Sequence, residues 1–233
     1  MSRTSTAVLL SAGLDSAVLA ASEARHTHVH PIYVSAGLAW EAQELEALGR
    51  LLTTPPFASL APLAHLTVTV RDLYPPTHWA LLGQPPAFDT PDEDVYLTGR
   101  NVILLSKASI YCAQHGIGRL ALGPLAGNPF PDATPQFFNA MAHAMSLGLA
   151  HEIRIDAPFA GKEKSDVIKM GIELGVPLEL TMSCMNPRLR QGDRGQAATV
   201  EHCGLCSKCR ERRDAFNETG IEDPTRYAVQ PIR

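Results

Sequence analysis

The 233-residue sequence lacks several features that define common classes of protein. No run approaches the roughly 20 consecutive apolar residues that a membrane-spanning helix needs, so we expect no membrane partner. Only 19% of the residues are charged and the net charge is −4, which argues against a long disordered tail and against a protein that wraps nucleic acid. The 45% of hydrophobic residues is enough for a substantial core.

Cysteines are few, and their clustering is not that of a secreted disulfide scaffold. Four of the five fall in one late stretch: Cys184, Cys203, Cys206 and Cys209. Four thiolates close a tetrahedral zinc site, although C-x2-C-x2-C spacing also occurs in iron–sulfur proteins, which remain the alternative. We predict a structural Zn²⁺ at these residues and a cytoplasmic protein. The basic run at 208–213 is interpreted as a solvated helix face.

Strand-like and helix-like apolar patterns alternate along most of the chain. Strands are predicted at residues 6–10, 29–34, 66–70, 119–123 and 152–156. Helices are predicted from residue 14 and at 41–52, 102–112, 136–147 and 166–174, the third of them buried all round. This alternation predicts an α/β fold with a doubly wound parallel sheet, whose ligands bind at the carboxyl ends of the strands.

Two further predictions concern the segments between and after these elements. The Pro-rich stretches at 73–98 and 124–135 are predicted to be loops, and long loops in compact domains usually serve a site. The alternating pattern ends near Thr181. We therefore expect an ATP-binding and catalytic domain at 1–182 and a cysteine lobe with a tail at 183–233.

The sharpest local signal is the segment SAGLDS at residues 11–16, between the first strand and the first helix. It is neither a Walker loop nor a dinucleotide GxGxxG motif. A helix N-terminus offers free amide donors, and glycine and serine beside it make a cradle for pyrophosphate, with a capped turn as the structural alternative. The predicted ATP-binding residues are Ser11, Gly13, Leu14, Asp15 and Ser16. Asp15 is also a candidate ligand for Mg²⁺.

A first buried strand followed by SxGxDS resembles the pyrophosphate loop of the N-type ATP pyrophosphatases, or PP-loop superfamily. Later motifs narrow the resemblance to the 7-cyano-7-deazaguanine synthase family, in order, over residues 6–216. These motifs are Gly99-Arg100-Asn101, the segment NPFPD at 128–132, Lys164 and the four cysteines. The resemblance implies an adenine nucleotide alpha hydrolase-like (PP-loop) fold with a small C-terminal zinc lobe.

The activity implied by the resemblance is the ATP-dependent conversion of 7-carboxy-7-deazaguanine and ammonia to 7-cyano-7-deazaguanine through an acyl-adenylate. The implied cofactors are ATP, Mg²⁺ and Zn²⁺, and a homodimer is one expected assembly. Asp15, Arg100 and Lys164 are then the candidate catalytic residues. The candidate substrate-binding residues are Arg100, Asn101, Phe130 and Asp132. Structural alternatives stay open: an ion pair of Arg100 with Asp92 or Glu93, a helix cap for Asn101, turn chemistry for Asp132 and an exposed helix start for Lys164.

The sequence departs from the family pattern at three places. The family's PDCR is Pro131-Asp132-Ala133-Thr134, which loses a cysteine and an arginine on the substrate side. An acidic residue after the second strand is replaced near residues 35–37, and Ala12 stands where most members have glycine. A methyl group there is unstrained only if its φ is negative. Two rivals therefore remain: a related ligase that adenylates another deazapurine or a protein acyl group, and an inactive nucleotide-binding zinc module.

Overall fold

The computed structural model describes residues 4–190 and 199–230, and it contains a five-stranded parallel sheet in the order β3-β2-β1-β4-β5. The strands are β1 Ser5–Leu9, β2 His28–Ser35, β3 Ala64–Thr67, β4 Arg119–Ala121 and β5 Arg154–Asp156. Successive residues of a strand point to opposite faces, and Ala7 and Val8 of β1 accordingly belong to separate apolar clusters on the two sides of the sheet. The predicted α/β class with a parallel sheet is confirmed.

Helices cover both faces of this sheet. They are α1 Leu14–Ala24, α2 Glu41–Leu51, α3 Trp79–Leu82, α4 Arg100–Gln114, α5 Pro135–Leu149, α6 Lys164–Glu173 and α7 Ser207–Thr219. Short 3₁₀ turns lie at Phe57–Ser59, Asp92–Val95, Pro131–Ala133 and Leu178–Leu180. Helices α1, α2, α6 and α7 contribute to the core on one face, while α4 and α5 contribute to the core on the other. Within the described residues, no helix is long and apolar enough to cross a membrane.

Two elements differ from their predicted form. The third strand pairs with β2 only over Ala64–Thr67. Beyond it, the amide of Val68 donates to the carbonyl oxygen of Ser35 at the end of β2, and the amide of Val70 donates to Ala36 in the loop that follows β2. Helix α4 is buried on one side only, since Val102 and Ile110 are each 41% exposed. The prediction of a buried helix, which was based on its apolar composition, was therefore wrong for the side that carries these two residues.

The C-terminal lobe contains an antiparallel pair, β6 Arg188–Arg190 with β7 Thr199–Glu201, and then α7. The basic run on α7 is not uniformly solvated as predicted, because Arg212 is fully buried. Its guanidinium donates to the carbonyl oxygen of Leu178 at 2.8 Å and to the hydroxyl groups of Thr181 and Thr225 at 2.8 and 2.6 Å. These bonds join α7 to the segment before Cys184 and to the tail. The division of the chain at residue 182 stays a prediction.

Candidate active site

The phosphate loop, residues 11–16, leads from β1 into α1 at the carboxyl edge of the sheet. Gly13 caps α1 without any side-chain hydrogen bond, so the first amides of the helix keep their capacity to bind an anion. The hydroxyl of Ser16 donates to the carbonyl oxygen of Gly13 at 2.9 Å and accepts from the amide of Ser11 at 3.3 Å. The side chain of Leu14 is buried, and only its backbone can serve a ligand. The loop is thus folded upon itself with its amides available.

Ala12 adopts a φ of +60°, the left-handed region that favours glycine, whereas Gly13 has an ordinary φ of −57°. The strained alternative considered for Ala12 is therefore the one that the structure adopts. Its methyl group is fully buried, and its carbonyl oxygen accepts a hydrogen bond from the amide of Met182 at 2.8 Å. The segment leading to Cys184 thus holds the phosphate loop directly.

Lys164, at the first position of α6, belongs to a charged cluster with Asp15, Lys208 and Glu211. Its ammonium donates to Asp15 Oδ2 at 2.9 Å and to Glu211 Oε1 at 2.6 Å, while Lys208 contacts the other oxygen of Glu211. Burial lowers the pKa of Lys164, but the two carboxylates outweigh it and leave that pKa above its ordinary value. Burial raises the pKa of Glu211, and the two ammonium groups outweigh it and bring it to about 2. Asp15 Oδ1 is buried and has no partner among the described residues.

Two adjoining cavities, of about 290 and 220 Å³, meet at the phosphate loop. The first cavity is lined by the predicted residues Ser11, Gly13, Asp15, Ser16, Arg100, Asn101, Phe130 and Asp132. Leu14, Lys164 and Cys184 border the second. Arg100 lines both cavities, and its buried Nε has no hydrogen-bond partner among the described residues. The ion pair considered for it with Asp92 is not formed, because Asp92 pairs with Arg210 at 3.2 Å.

Asn101 and Asp132 are brought together by the start of α4 and the 3₁₀ turn at Pro131–Ala133. The amide of Asn101 donates to Asp132 Oδ2 at 3.0 Å, and its side-chain Nδ2 donates to the Asp132 carbonyl oxygen at 2.9 Å. Burial raises the pKa of Asp132, and the bond from Asn101 opposes that rise. These two hydrogen bonds connect the start of α4 to the loop that carries Phe130. The ring of Phe130 stacks on Tyr96 with the centroids 5.2 Å apart.

Glu44 is a buried carboxyl group in both cavities that the sequence reasoning missed. Its Oε2 accepts a hydrogen bond from the hydroxyl of Tyr33 at 2.9 Å, and the hydroxyl of Ser11 also bonds to the carboxyl group. Burial raises the pKa of Glu44 to about 7, although the positive charge of Arg100 opposes the rise. The site therefore holds an acid that changes charge near neutral pH.

Glu41, one turn earlier on α2, fills the place after the second strand where an acidic residue seemed to be lost. Its carboxylate accepts from the hydroxyl of Ser35 at 2.5 Å and from the amides of Ala36 and Gly37 at 2.7 and 3.0 Å. The loop after β2 is thereby held at the cavity rim. Periodicity could have found both acids, since Glu41 and Glu44 share the buried stripe of α2 with Leu48.

Four buried thiols form the only group of three or more potential metal-binding side chains found within residues 4–190 and 199–230. Their Sγ atoms lie within 4.8 Å of one another, with Cys184 and Cys206 4.0 Å apart and Cys203 and Cys209 3.9 Å apart. Zn–S bonds of 2.3 Å in a tetrahedron give sulfur separations of about 3.8 Å. The geometry fits a metal ion held by four thiolates.

Backbone amides also support the charge of these thiolates. Cys184 Sγ accepts from the amides of Asn186 and Cys203 at 3.3 and 3.2 Å. His202 is not part of the set, because its Nε2 accepts from the amide of Ser183 at 3.1 Å. Gly204 has a φ of +77°, and a Cβ there would lie 1.9 Å from the carbonyl oxygen of Val229, so no other residue fits this turn.

Several known proteins are similar to this chain in sequence. A family model described as queuosine biosynthesis protein QueC matches residues 5–220. The 7-cyano-7-deazaguanine synthase of Methanothrix thermoacetophila is 33% identical over 237 residues, covering 94% of this chain and 96% of that protein. The enzyme of the same name from Thermoplasma volcanium is 36% identical over 142 residues, and the match covers 58% of this chain and 54% of that protein's length. The crystal structure described as a predicted subunit of a tRNA methyltransferase from Methanocaldococcus jannaschii has a TM-score of 0.44 and 15% identity, covering 97% of this chain and 92% of that one.

Proposed function

The chain belongs to the QueC family, and we propose that it converts 7-carboxy-7-deazaguanine and ammonia to 7-cyano-7-deazaguanine at the expense of ATP. The observation that carries this proposal is the family match over residues 5–220, together with a phosphate loop that opens on cavities lined by Arg100 and Lys164. In this proposal the phosphate loop would bind the phosphates of ATP, and Arg100 and Lys164 would bind the carboxylate of the substrate.

ATP would bind with its phosphates on residues 11–16, where the amides at the start of α1 and the hydroxyl of Ser11 would donate to them. The hydroxyl of Ser16 would join them after turning away from the carbonyl oxygen of Gly13. Asp15 suits Mg²⁺ because its Oδ1 is buried and has no partner within residues 4–190 and 199–230, and the ion would neutralise part of the phosphate charge. Lys164 would meet the same phosphates from α6, and its ammonium remains charged because its pKa is raised.

The carboxylate of the substrate would sit against Arg100, whose planar guanidinium matches a carboxylate in two hydrogen bonds and whose Nε lacks a partner in the described part of the chain. Phe130 would border the deazapurine ring, with Asn101 and Asp132 beside it. Asn101 and Asp132 are hydrogen-bonded to each other. The pair would therefore stabilise this side of the cavity as well as contact the ligand. Glu44 adds an acceptor for N–H groups of the ring.

The reaction is an ordinary sequence of adenylation and substitution. A carboxylate oxygen bonds to the α-phosphorus of ATP as the bond to pyrophosphate breaks. Arg100 and Lys164 stabilise the negative charge as it moves from the carboxylate to the pyrophosphate. The nitrogen of ammonia then bonds to the acyl carbon, AMP leaves and a proton is lost, which gives the amide. The amide oxygen then bonds to the α-phosphorus of a second ATP as pyrophosphate leaves, and loss of AMP together with the two protons of the nitrogen gives the nitrile. The protein contributes positioning and electrostatics, without a covalent nucleophile.

We also propose that the four-cysteine site holds zinc as a structural ion and takes no part in these steps. Four protein ligands leave no open position, which is typical of a structural site. A site of free thiolates needs reducing conditions, and we accordingly infer a cytoplasmic protein. The catalytic domain would then comprise residues 1–182, and residues 183–233 would form the zinc lobe and tail.

A homodimer through α5 is the assembly that we infer. This helix contains no charged residue, and Phe138 is its only buried residue within the described part of the chain. Leu147 is 71% exposed. Analytical ultracentrifugation should find a dimer, and Leu147→Asp should shift it toward monomer while Ile172→Asp, at an exposed apolar position of α6, should not. A monomeric wild-type protein would remove this assembly.

Mass spectrometry of a reaction mixture with 7-carboxy-7-deazaguanine, ammonium and Mg-ATP tests the function. We expect 7-cyano-7-deazaguanine with AMP and pyrophosphate, and the Lys164→Met protein controls for contaminating ATPases. Pyrophosphate release with another acid, and no nitrile from this one, would favour the rival ligase. A protein that releases no pyrophosphate with any acid would favour the inactive module.

A further inference from the structure

Helix α7 of the C-terminal lobe adds two charged side chains to the second cavity. Glu211 Oε1 lies 2.6 Å from the ammonium of Lys164, and Lys208 contacts the other carboxylate oxygen. Both residues line the cavity that begins at the phosphate loop. No motif of the sequence pointed to Glu211, and Lys208 was predicted only as part of the solvated basic run at 208–213. The lobe therefore contributes charge to the site as well as a place for metal.

The contact with Glu211 constrains a side chain that is otherwise flexible. A lysine has a long stem and a compact charge, so a single carboxylate leaves its ammonium several positions. Here Lys164 is held between Asp15 at 2.9 Å and Glu211 at 2.6 Å, and only 13% of its side chain is exposed. Exposed pairs are worth little, but a pair this buried leaves an uncompensated charge if one partner is removed.

Sharing the ammonium also affects Asp15. Since Lys164 bonds to only one oxygen of Asp15 and turns its second donor toward Glu211, Asp15 Oδ1 stays without a partner among the residues that the structure describes. That oxygen is the one available to a cation at the phosphate loop.

Glu211 can hold Lys164 in place because α7 is itself fixed on several sides. Cys206 and Cys209 lie at its start in the cysteine cluster. Arg210 donates to the carbonyl oxygens of Phe88 and Thr90 at 2.8 and 2.9 Å, which ties the helix to the segment before α4. Because α7 is held in this way, the carboxylate of Glu211 has a defined position relative to Lys164.

We propose that Glu211 is a positioning residue for adenylation, which holds the Lys164 ammonium where it meets the phosphates of ATP. The proposal rests on the proposed function in taking ATP as the ligand of the phosphate loop. Through Glu211 the C-terminal lobe takes part in the chemistry of the other domain, and Lys208 offsets the negative charge that Glu211 brings near the phosphates.

The variant Glu211→Gln tests this role, with Glu218→Gln as the matched control, since Glu218 is exposed on the same helix. Removing one negative charge should tighten the binding of Mg-ATP at least twofold in calorimetric titration. The same change should lower kcat for pyrophosphate release at least tenfold, because Lys164 is no longer aligned. Acetylation of Lys164 by an amine-reactive reagent, followed by peptide mass spectrometry, should become at least fivefold faster. The control should match the wild type in all three measurements.

Two results would contradict the positioning role of Glu211. Unchanged kcat and unchanged labelling in Glu211→Gln would overturn the proposal, and so would a parallel loss of ATP affinity, kcat and Tm, which would indicate a purely structural residue. If Glu211→Gln fails to fold, Glu211→Asp should lower kcat at least threefold with ATP affinity within twofold of wild type, and an unchanged kcat would refute the role.

The labelling and ATP-binding measurements need no deazapurine. Suppose that the wild type makes no nitrile, while in Glu211→Gln the acetylation of Lys164 is faster and Mg-ATP binds more tightly. This result would refute the proposed substrate and support the positioning role of Glu211. Nitrile formation by both wild type and variant at equal rates would do the reverse.

Discussion

The buried carboxyl group of Glu44 should make the stability of the protein depend on pH in a way that one substitution removes. Burial raises its pKa from 4.5 to about 7, with Glu41 adding to the rise and Arg100, Tyr33 and Ser11 opposing it. A carboxyl group with a raised pKa favours the folded state in its neutral form. Its contribution is therefore fully present below pH 4.5 and is lost as the pH rises through 7.

The magnitude follows from the two pKa values. Each pH unit between them is worth about 1.4 kcal/mol, so the raised pKa of Glu44 lowers the unfolding free energy, relative to low pH, by about 1 kcal/mol at pH 5 and by about 3 kcal/mol at pH 8. In Glu44→Gln the amide oxygen can still accept from Tyr33, and the titration disappears. The variant should gain about 2 to 3 kcal/mol of unfolding free energy relative to wild type between pH 5 and pH 8.

Urea unfolding of both proteins at pH 5, 6, 7 and 8 measures this difference. Glu46→Gln is the matched control, because Glu46 lies on the same helix with 37% of its side chain exposed and pairs with Arg50. Its difference from wild type should be the same at every pH. If the Glu44→Gln and wild-type curves run parallel from pH 5 to pH 8, the reasoning about this buried acid is wrong.

Three further substitutions test other parts of the site. Cys206→Ser should lower Tm and destabilise the lobe, because a structural metal contributes folding free energy; elemental analysis of the wild type should find about one zinc per chain, and iron with labile sulfide would contradict zinc. Asp15→Asn should fold normally yet lose at least about tenfold in Mg²⁺-dependent turnover, equivalent to about 1.4 kcal/mol of barrier, and full activity would exclude Asp15 from the chemistry. Asp132→Ala should lower kcat/KM for the deazapurine more than ATP affinity, and leaving the Asn101 amide unpaired should cost about 2 kcal/mol in urea unfolding; equal effects on both ligands would argue against a place beside the deazapurine.

Local patterns predicted most of the sheet and its helices because each pattern depends on neighbours in sequence. The run at 6–10 and the change of period after it located β1, the phosphate loop and α1 closely. Strand β3 was misplaced by a few residues, since its limits are set by pairing with β2 and by hydrogen bonds to the loop after β2. Such partners are distant in sequence and leave no periodic signal.

Buried charge is the feature that the sequence reasoning missed most often. Glu44 belongs to the buried stripe of α2, but a count of apolar residues excludes it, and only the fold brings Tyr33 and Ser11 to its carboxyl group. Arg212 was likewise interpreted as solvated, because a charged residue is not counted among the residues expected in the core. Its burial depends on acceptors from Leu178 and Thr225, which flank α7 only in the folded chain.

Ala12 shows how a tertiary contact can override a local rule. A non-glycine residue at its φ of +60° costs about 1 to 2 kcal/mol, which the loop sequence by itself gives no reason to accept. The burial of its methyl group and the hydrogen bond from the Met182 amide exist only once the segment before Cys184 has docked, and they offset that cost. The same segment leads into the cysteine cluster from which α7 carries Glu211 to Lys164. The conformation of the phosphate loop therefore depends on the segment that leads into the C-terminal lobe, through the backbone at Ala12, and on the lobe itself, through the charged cluster at Lys164. Neither dependence can be derived from residues 11–16 alone.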